Sequence, residues 1–425
     1  MDTSSGIHGS DGAETAKDWL VVATSFVGVF VGVFYLYGMG AFILPLEEQF
    51  EWSRTVTTSG LTLISIIAII VAPLVGYMVD RFGSRRIAMI GVCLFGAAFA
   101  AMSTATGSVW NWWFLWGLLA VGTVLMKPVV WIAAITSRFD KRRGLAMGIA
   151  LCGTGAAASI VPIVATLLIQ ALGWRMAFVA LGLGGVLLPL PLLVLFFHDG
   201  ERPATGDRQR VQDNKPQAQE LPGLTIKQGL KAPVFYKLAF SSMLVAGGVL
   251  GLVVHFVPIM VAGGLSAEAA ATVAGIVGIS SIIGRIGTGF LLDRFPGWLV
   301  GGIGNGIPIL ACLVLLLSDG SYVGGAVAAA IVGFSVGAEL DIAAYLSGRH
   351  FGRRNYATLF GTLAGMISLG IGVGAVFLGA MYDFFGSYEQ VLWTLIPMFA
   401  VCSLLVFSTG NYPESFPDEA DQAPA

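Results

Sequence analysis

Apolar residues run along this chain in stretches of roughly 18 or more, each long enough to cross a hydrocarbon core as a helix, with polar turns between them. Twelve such stretches recur, at about 19–46, 55–79, 87–105, 110–137, 144–170, 176–197, 235–262, 269–292, 299–318, 322–348, 356–382 and 390–410. The pattern predicts an all-α integral membrane protein of twelve transmembrane helices. One connection is long: residues 198–233 are polar, with Pro, Gly, Gln and Asp scattered through them, and read as a linker. It divides the chain into a tail (1–17), a first six-helix bundle (18–197), a second (234–410) and a closing tail (411–425) whose Pro and acidic residues predict disorder. Within the linker, residues 224–231 either form a short interfacial helix ahead of Pro233 or stay disordered.

Composition narrows the class. Of 425 residues 56% are apolar and 11% charged, which a water-soluble globule of this length does not show. The net charge of −2 matters less than where the charges fall. Arg81, Arg85, Arg86, Arg138, Lys141, Arg142, Arg143, Arg294, Arg349, Arg353 and Arg354 stand in even-numbered connections, whereas the odd ones carry Arg54 and Arg175 and little else. The positive-inside rule then puts the even loops and both termini in the cytoplasm of a multi-pass cell-membrane protein. Residues 1–17 lack the basic n-region and small-residue cleavage site of a secretory signal, so the first helix is expected to be retained. Cys93, Cys152, Cys312 and Cys402 fall inside spans at spacings that suit no disulfide framework or zinc site, and are expected to be buried structural thiols. The sequence has no His/Cys ligand pattern, phosphate-cradling loop or adjacent Ser/His/Asp set, so neither enzymatic chemistry nor a cofactor or metal is expected, and no nucleic acid.

The chain also repeats itself. Gly76–Arg86 carries an apolar helix into a tight basic turn, and Gly289–Phe295 returns about 213 residues later without the final Gly and basic pair. Glycine lets two helices approach closely, the Asp can sit at a helix end, and the arginines stay in water. Used in both halves, the motif reads as a hinge or conformational gate, with Gly76, Asp80, Arg81, Arg85 and Arg86 in one copy and Asp293 and Arg294 in the other. Arg138, Arg142 and Arg143 recur as Arg349, Arg353 and Arg354, the weak self-similarity that parallel transporter repeats leave. The Gly76–Arg86 pattern resembles the loop motif between helices two and three of the major facilitator superfamily of secondary transporters. Phe139, Lys141, Arg142, Arg143, Leu145, Ala146, Gly148, Ala150 and Gly153 match, at the same spacings, the fifth-helix signature of the monocarboxylate transporter family, which the oxalate–formate-type exchangers resemble. The resemblance implies two pseudo-symmetric six-helix bundles around a midplane cavity. A monomer is expected.

Five ionisable residues stand well inside spans: Lys127, His255, Arg285, Glu339 and Asp341. A full charge at the bilayer centre costs about 2.5–3.5 kcal/mol on insertion scales, so these side chains must face protein or water, and pair or work. By helical rise Lys127 lies about 16 Å, Arg285 about 12 Å and Glu339 about 15 Å from the nearest even-numbered loop, so the three share a layer. Glu339 and Asp341 are about 200° apart around a helix and face different ways; either could take up a proton, or serve as a permanent partner for Arg285 or Lys127. His255 reads as a proton relay, a substrate hydrogen-bond donor or a packing residue. Gly28, Gly32, Tyr35 and Met39 share a face of the first span, which either lines a cavity or packs on a neighbour.

The resemblance adds that Arg285 stands where monocarboxylate and oxalate-type transporters carry the arginine that holds the substrate carboxylate, and a guanidinium fork suits that planar group. Ser281 occupies the position of the family's acid one turn earlier, the family's first-helix lysine has no counterpart among residues 35–46, and its opening signature is reduced to Asp18 and Trp19. The eleventh run lacks the lysine that holds a second carboxylate. The expected function is secondary transport of a small organic anion, a monocarboxylate, with protons by alternating access. Arg285, Lys127, His255, Tyr35 and Met39 would surround the substrate, and Glu339 and Asp341 would couple the proton. The alternatives are a proton-exchange exporter of amphipathic compounds, which needs a roomier and more apolar pocket, and a non-transporting membrane receptor.

Overall fold

A computed structural model describes residues 16–136, 138–139, 142–197, 223–318, 320–352 and 354–413. Lys141, Arg353 and residues 198–222 of the linker lie outside these, as do the side chains of Asp80 and Arg143. The helices are α1 (Ala16–Val31), α2 (Phe34–Tyr37), α3 (Met39–Phe50), α4 (Arg54–Phe82), α5 (Ser84–Ala101), α6 (Val109–Leu125), α7 (Pro128–Thr136), α8 (Arg143–Leu187) and α9 (Pro189–Leu195) in the first half. The second half holds α10 (Ile226–Lys231), α11 (Pro233–Ala262), α12 (Ala267–Arg294), α13 (Gly297–Leu317), α14 (Tyr322–Phe351), α15 (Tyr356–Phe385) and α16 (Tyr388–Phe407). Among the described residues, eleven stretches are long and apolar enough to cross a membrane. One of them holds two spans, because α8 would be about 68 Å long if straight and Gly173 breaks it with a left-handed φ of 79°. The result is the expected twelve. Most helices outrun their apolar stretches by a few residues. At Ser53, Ser266 and Ser321 a hydroxyl accepts an N–H three residues on, at 3.3, 3.2 and 3.1 Å, and so satisfies donors that lipid cannot.

Three spans are discontinuous among the described residues: the sixth is interrupted at Leu188, ahead of Pro189, and two others break deeper in the membrane. The first breaks at Gly32–Val33 and again at Gly38, and the fourth breaks at Met126–Lys127. The breaks adjoin: a side chain on Gly32 would begin 3.1 Å from the Met126 carbonyl. Pro128 brings no N–H to the turn after that break, and the Trp131 indole N–H donates to the Met126 oxygen at 3.0 Å. At the end of these spans nearer the termini, the two signature remnants meet. Arg138 pairs with Asp18 at 3.1 Å, and Trp19 packs edge-on against Phe139.

The segment ahead of α11 is ordered. Thr225 and Gln228 form a reciprocal capping box that starts α10, so of the two readings of residues 224–231 the helix holds. Leu224 N–H donates to the Phe351 carbonyl at 2.9 Å, Asn355 donates to the Leu224 carbonyl at 3.0 Å, and Gly223 bridges to Gly352. This end of the linker is thereby strapped to the turn between α14 and α15. Of the closing tail only residues 411–413 are described, and these are fixed, whereas the rest of the stretch expected to be disordered lies outside the described residues. The Tyr412 hydroxyl accepts the Gly297 N–H at 2.6 Å and the Arg349 guanidinium lies over its ring; burial pushes this phenol up from its ordinary range. Of the four thiols, Cys312 and Cys402 are buried as expected, but Cys93 is exposed and Cys152 half-buried.

The two halves touch where α4 meets α15, α8 meets α12, and α3 meets α11. Among the described residues these contacts lie from mid-helix to the end remote from the termini. Thr62 and Thr58 donate to the carbonyls of Gly372 and Ala375 at 2.7 and 3.4 Å. The N–H groups of Arg54 and Thr55 donate to the Asp383 carboxylate at 3.0 and 2.9 Å, and the Thr55 hydroxyl donates to it as well. A side chain on Gly278 would begin 2.0 Å from the Gly155 carbonyl, so α8 and α12 touch backbone to backbone there. Toward the termini the same helices part. A side chain added at Gly76, Gly144, Gly148, Gly289, Gly361 or Gly365 would meet nothing within 4 Å. The expectation that Gly76 and Gly289 mark close helix contacts is therefore corrected for this conformer, in which an open cleft separates the helices at that depth. Around the gate motif, Gly83 makes the turn between α4 and α5 at φ 91°, Arg81 donates to Tyr77 and Arg85 to the Val194 carbonyl, both at 2.7 Å. Arg86, Asp293 and Arg294 are exposed, with Arg294 over the Phe290 ring.

Candidate functional site: an ion pair in the cleft

Just on the termini side of the Gly155–Gly278 contact, α8, α12 and α14 enclose a cavity of about 340 Å³ whose wall includes Cys152, Ser281, Ile282, Arg285, Val336 and Gly337. Arg285 is seven residues beyond Gly278 on α12, about 10 Å along the helix. Its Nε stands 3.9 Å from Asp341 Oδ2, with the two side chains 38% and 30% exposed. That is beyond hydrogen-bonding distance. A half-solvated pair of this kind contributes about 0–1 kcal/mol, so the guanidinium donors are not committed to it. The pairing follows from how α14 lies on α12. Gly337, one turn before Asp341, has no side chain to hold the helices apart: one would begin 2.0 Å from the Ser281 carbonyl. The Ser281 hydroxyl is turned to the Gly278 carbonyl of its own helix at 2.7 Å. The acid beside the arginine thus comes from α14.

The first span closes in from the other half. Tyr35 and Tyr37 are both buried, and the Tyr37 phenol lies within electrostatic reach of Tyr35 and Arg285. Tyr37 escaped the sequence reading because it stands about 200° from Tyr35 on a helix, off the face that carries Gly28, Gly32, Tyr35 and Met39. Both tyrosines belong to the single turn α2, and the breaks at Gly32–Val33 and Gly38 let that turn set its Tyr37 side toward Arg285. Signal for it existed only in the glycines.

Other expected site residues stand elsewhere. Glu339 is 7% exposed, on the side of α14 away from Asp341; its Oε1 has no hydrogen-bond partner, and the Cys402 thiol of α16 is within its electrostatic reach. It therefore does not share the arginine's surroundings. His255 is fully buried: its Nε2–H donates to the Ala375 carbonyl at 2.8 Å, which leaves Nδ1 to accept the Tyr388 hydroxyl at 2.8 Å. Both nitrogens are occupied in joining α11 to α15 and α16, so the histidine does not reach the cavity. Met39 is 2% exposed in the packed core. Lys127 is half-buried at the α6–α7 break and has no side-chain hydrogen bond or ion pair among the described residues, but it is not part of the cavity wall. Of the expected site residues the structure brings Arg285 and Asp341 together, sets Tyr35 beside Tyr37, and places Glu339, His255, Met39 and Lys127 elsewhere. No cluster of three or more metal-ligating side chains occurs among the described residues.

Known proteins supply the remaining comparison. Residues 24–361 match the Major Facilitator Superfamily. An MFS-type transporter of Gibberella moniliformis is 28% identical over 394 residues, covering 91% of this chain and 88% of the relative. Monocarboxylate transporter 11 of Homo sapiens is 28% identical over 364 residues, covering 83% of this chain and 71% of the relative. Among solved structures, an inward-facing, occupied bacterial homologue of the human lysosomal transporter Spinster superposes with a TM-score of 0.68 at 18% identity, covering 94% of each chain. That likeness is one of fold. Twelve spans in two halves that seal at one end and part at the other, and a family match over most of its length, mean that the chain belongs to the Major Facilitator Superfamily of membrane transporters.

Proposed function

We propose that the protein is a secondary transporter that carries an organic monocarboxylate together with a proton by alternating access. Its termini face the cytoplasm of a cell membrane, as the basic even-numbered loops favour, so the conformer described is open inward. The single observation that carries this reading is the half-exposed Arg285 guanidinium in the cleft, 3.9 Å from Asp341 and with no hydrogen bond of its own among the described residues. A substrate carboxylate takes two parallel charge-assisted hydrogen bonds from that fork. Asp341 then loses its counter-charge, and a proton neutralises it. Tyr37 and Tyr35 offer hydroxyls beside the bound anion, whereas Lys127, at the break of the fourth span, stays outside the cavity wall. Glu339 and His255 serve the packing of the second bundle. Gly76, Asp80, Arg81, Arg85, Arg86, Asp293 and Arg294 border the cytoplasmic end, where the halves close in the outward-facing state. The named monocarboxylate transporter relatives are consistent with the substrate class.

One proton with one monoanion is electroneutral, so uptake into vesicles follows the pH gradient, about 1.36 kcal/mol per unit, and ignores voltage. The test is paired. Arg285→Lys keeps the charge but loses the fork, and uptake falls at least tenfold; near-normal uptake would take Arg285 out of the site. Asp341→Asn retains exchange of substrate for substrate but no longer responds to a pH gradient; an unchanged response would remove Asp341 from coupling.

A further inference from the structure

The cavity beside Arg285 is larger and less polar than a two- or three-carbon acid requires. Apart from Arg285, Cys152, Thr154 and Ser281, its wall is built from aliphatic side chains, Ile149, Ile282 and Ile286 among them, with glycines between them. Its hydroxyls are turned away: Ser281 donates to the Gly278 carbonyl and Thr154 to the Leu151 carbonyl, at 2.7 and 2.8 Å. The volume of about 340 Å³ falls in the range of about 300–1,000 Å³ that takes drug-sized ligands. Gly144 and Gly148, one turn apart on α8, each have open space where a side chain would begin, so the wall along α8 is a trough. No second cation lines it among the described residues.

From this arrangement, one cationic fork at the edge of an apolar trough, we infer that the substrate is an amphipathic monocarboxylate. Its carboxylate lies on Arg285, and an aliphatic or aromatic body of about six to ten carbons lies along α8, in keeping with a cavity of this size. The inference rests on the carboxylate reading and adds the substrate's shape to it. A short acid leaves the trough to water. Each methylene moved from water onto the apolar wall tightens binding about fourfold. A dicarboxylate would bring its second charge onto Ile282 and Ile286 without a partner, a costly burial.

The experiment is equilibrium binding of radiolabelled straight-chain acids, from acetate to decanoate, to the purified full-length protein in nanodiscs, with empty nanodiscs subtracted. The expected result is a dissociation constant that falls about fourfold per carbon from propionate to about octanoate. A flat series, or tightest binding at two or three carbons, overturns the inference. Gly148→Leu fills the trough in a conformer that has room for the side chain, and it weakens octanoate at least tenfold more than propionate; equal effects on both would place the apolar body elsewhere and also overturn it. Arg285→Gln separates the two levels of the argument. It weakens every acid in parallel if the carboxylate reading holds, and an unchanged series in that variant sinks that reading and the inference together. A parallel loss with no chain-length dependence in the unmutated protein sinks the inference alone.

Discussion

Removal of the Asp383 carboxylate will loosen the seal at the end of the molecule remote from the termini. Asp383 lies in the last turn of α15 and receives the first N–H groups of α4, 329 and 328 residues away in the chain. Those donors have no partner within their own helix, and the carboxylate also sits at the positive end of its dipole. The two helices belong to opposite halves, so the contact exists only while that end is shut. Truncating a residue that caps a helix start costs about 1 kcal/mol, and because Asp383 is exposed no more than that is expected here. About 1 kcal/mol is roughly a fivefold change in the ratio of the two conformers. Asn caps as well as Asp in general but carries one acceptor oxygen where two are used, so Asp383→Asn shifts the ratio less than Asp383→Ala. Spin labels on Gln49→Cys and Glu268→Cys, exposed positions at that end in opposite halves, report the opening by pulsed dipolar spectroscopy in a background free of native cysteines. The long-distance population rises about fivefold for Asp383→Ala. An unchanged distance distribution in a variant that unfolds at the normal temperature would refute the idea that this contact holds the end closed.

Two further outcomes follow from the same geometry. Gly76→Leu places its side chain in open space and improves helix propensity by about 1 kcal/mol, so thermal stability holds or rises while uptake is lost because the cleft cannot shut; full uptake would mean that Gly76 meets no partner in any conformer. His255→Phe leaves the Tyr388 hydroxyl without its acceptor and removes one donor from the Ala375 carbonyl, which Thr58 still reaches, at about 1–3 kcal/mol for the buried hydroxyl left unsatisfied. The unfolding temperature falls while the substrate concentration for half-maximal uptake stays the same, and the reverse pattern would make His255 a substrate contact.

The spans were legible because a bilayer leaves the backbone no alternative to helices, and length and hydropathy report that directly. The divergence of Glu339 and Asp341 was legible for a similar reason, since an unbroken α14 fixes the angle between them. Which of the two meets Arg285 was not, because the answer depends on how α14 slides along α12, and that is set by Gly337 against the Ser281 carbonyl. The interior breaks were half visible: Pro128 announces one, whereas Gly32 and Gly38 look like any packing glycine. Tyr37 was lost with them. The contacts between Asp383 and α4 leave no local trace at all, since each partner taken alone is an ordinary surface acid or an ordinary helix start.

The strap at Leu224 shapes how the halves can pull on one another. The connecting chain is already moored to the Phe351–Asn355 corner before it enters α11, so a tug from the first bundle arrives at that corner. From there it divides along two levers, α14 with Asp341 inside the cleft and α15 with Asp383 at the far rim. Cutting the tether ahead of Gly223 would leave the mooring in place, whereas only the loss of the Leu224 contacts to Phe351 and Asn355 together would uncouple the tow from both levers.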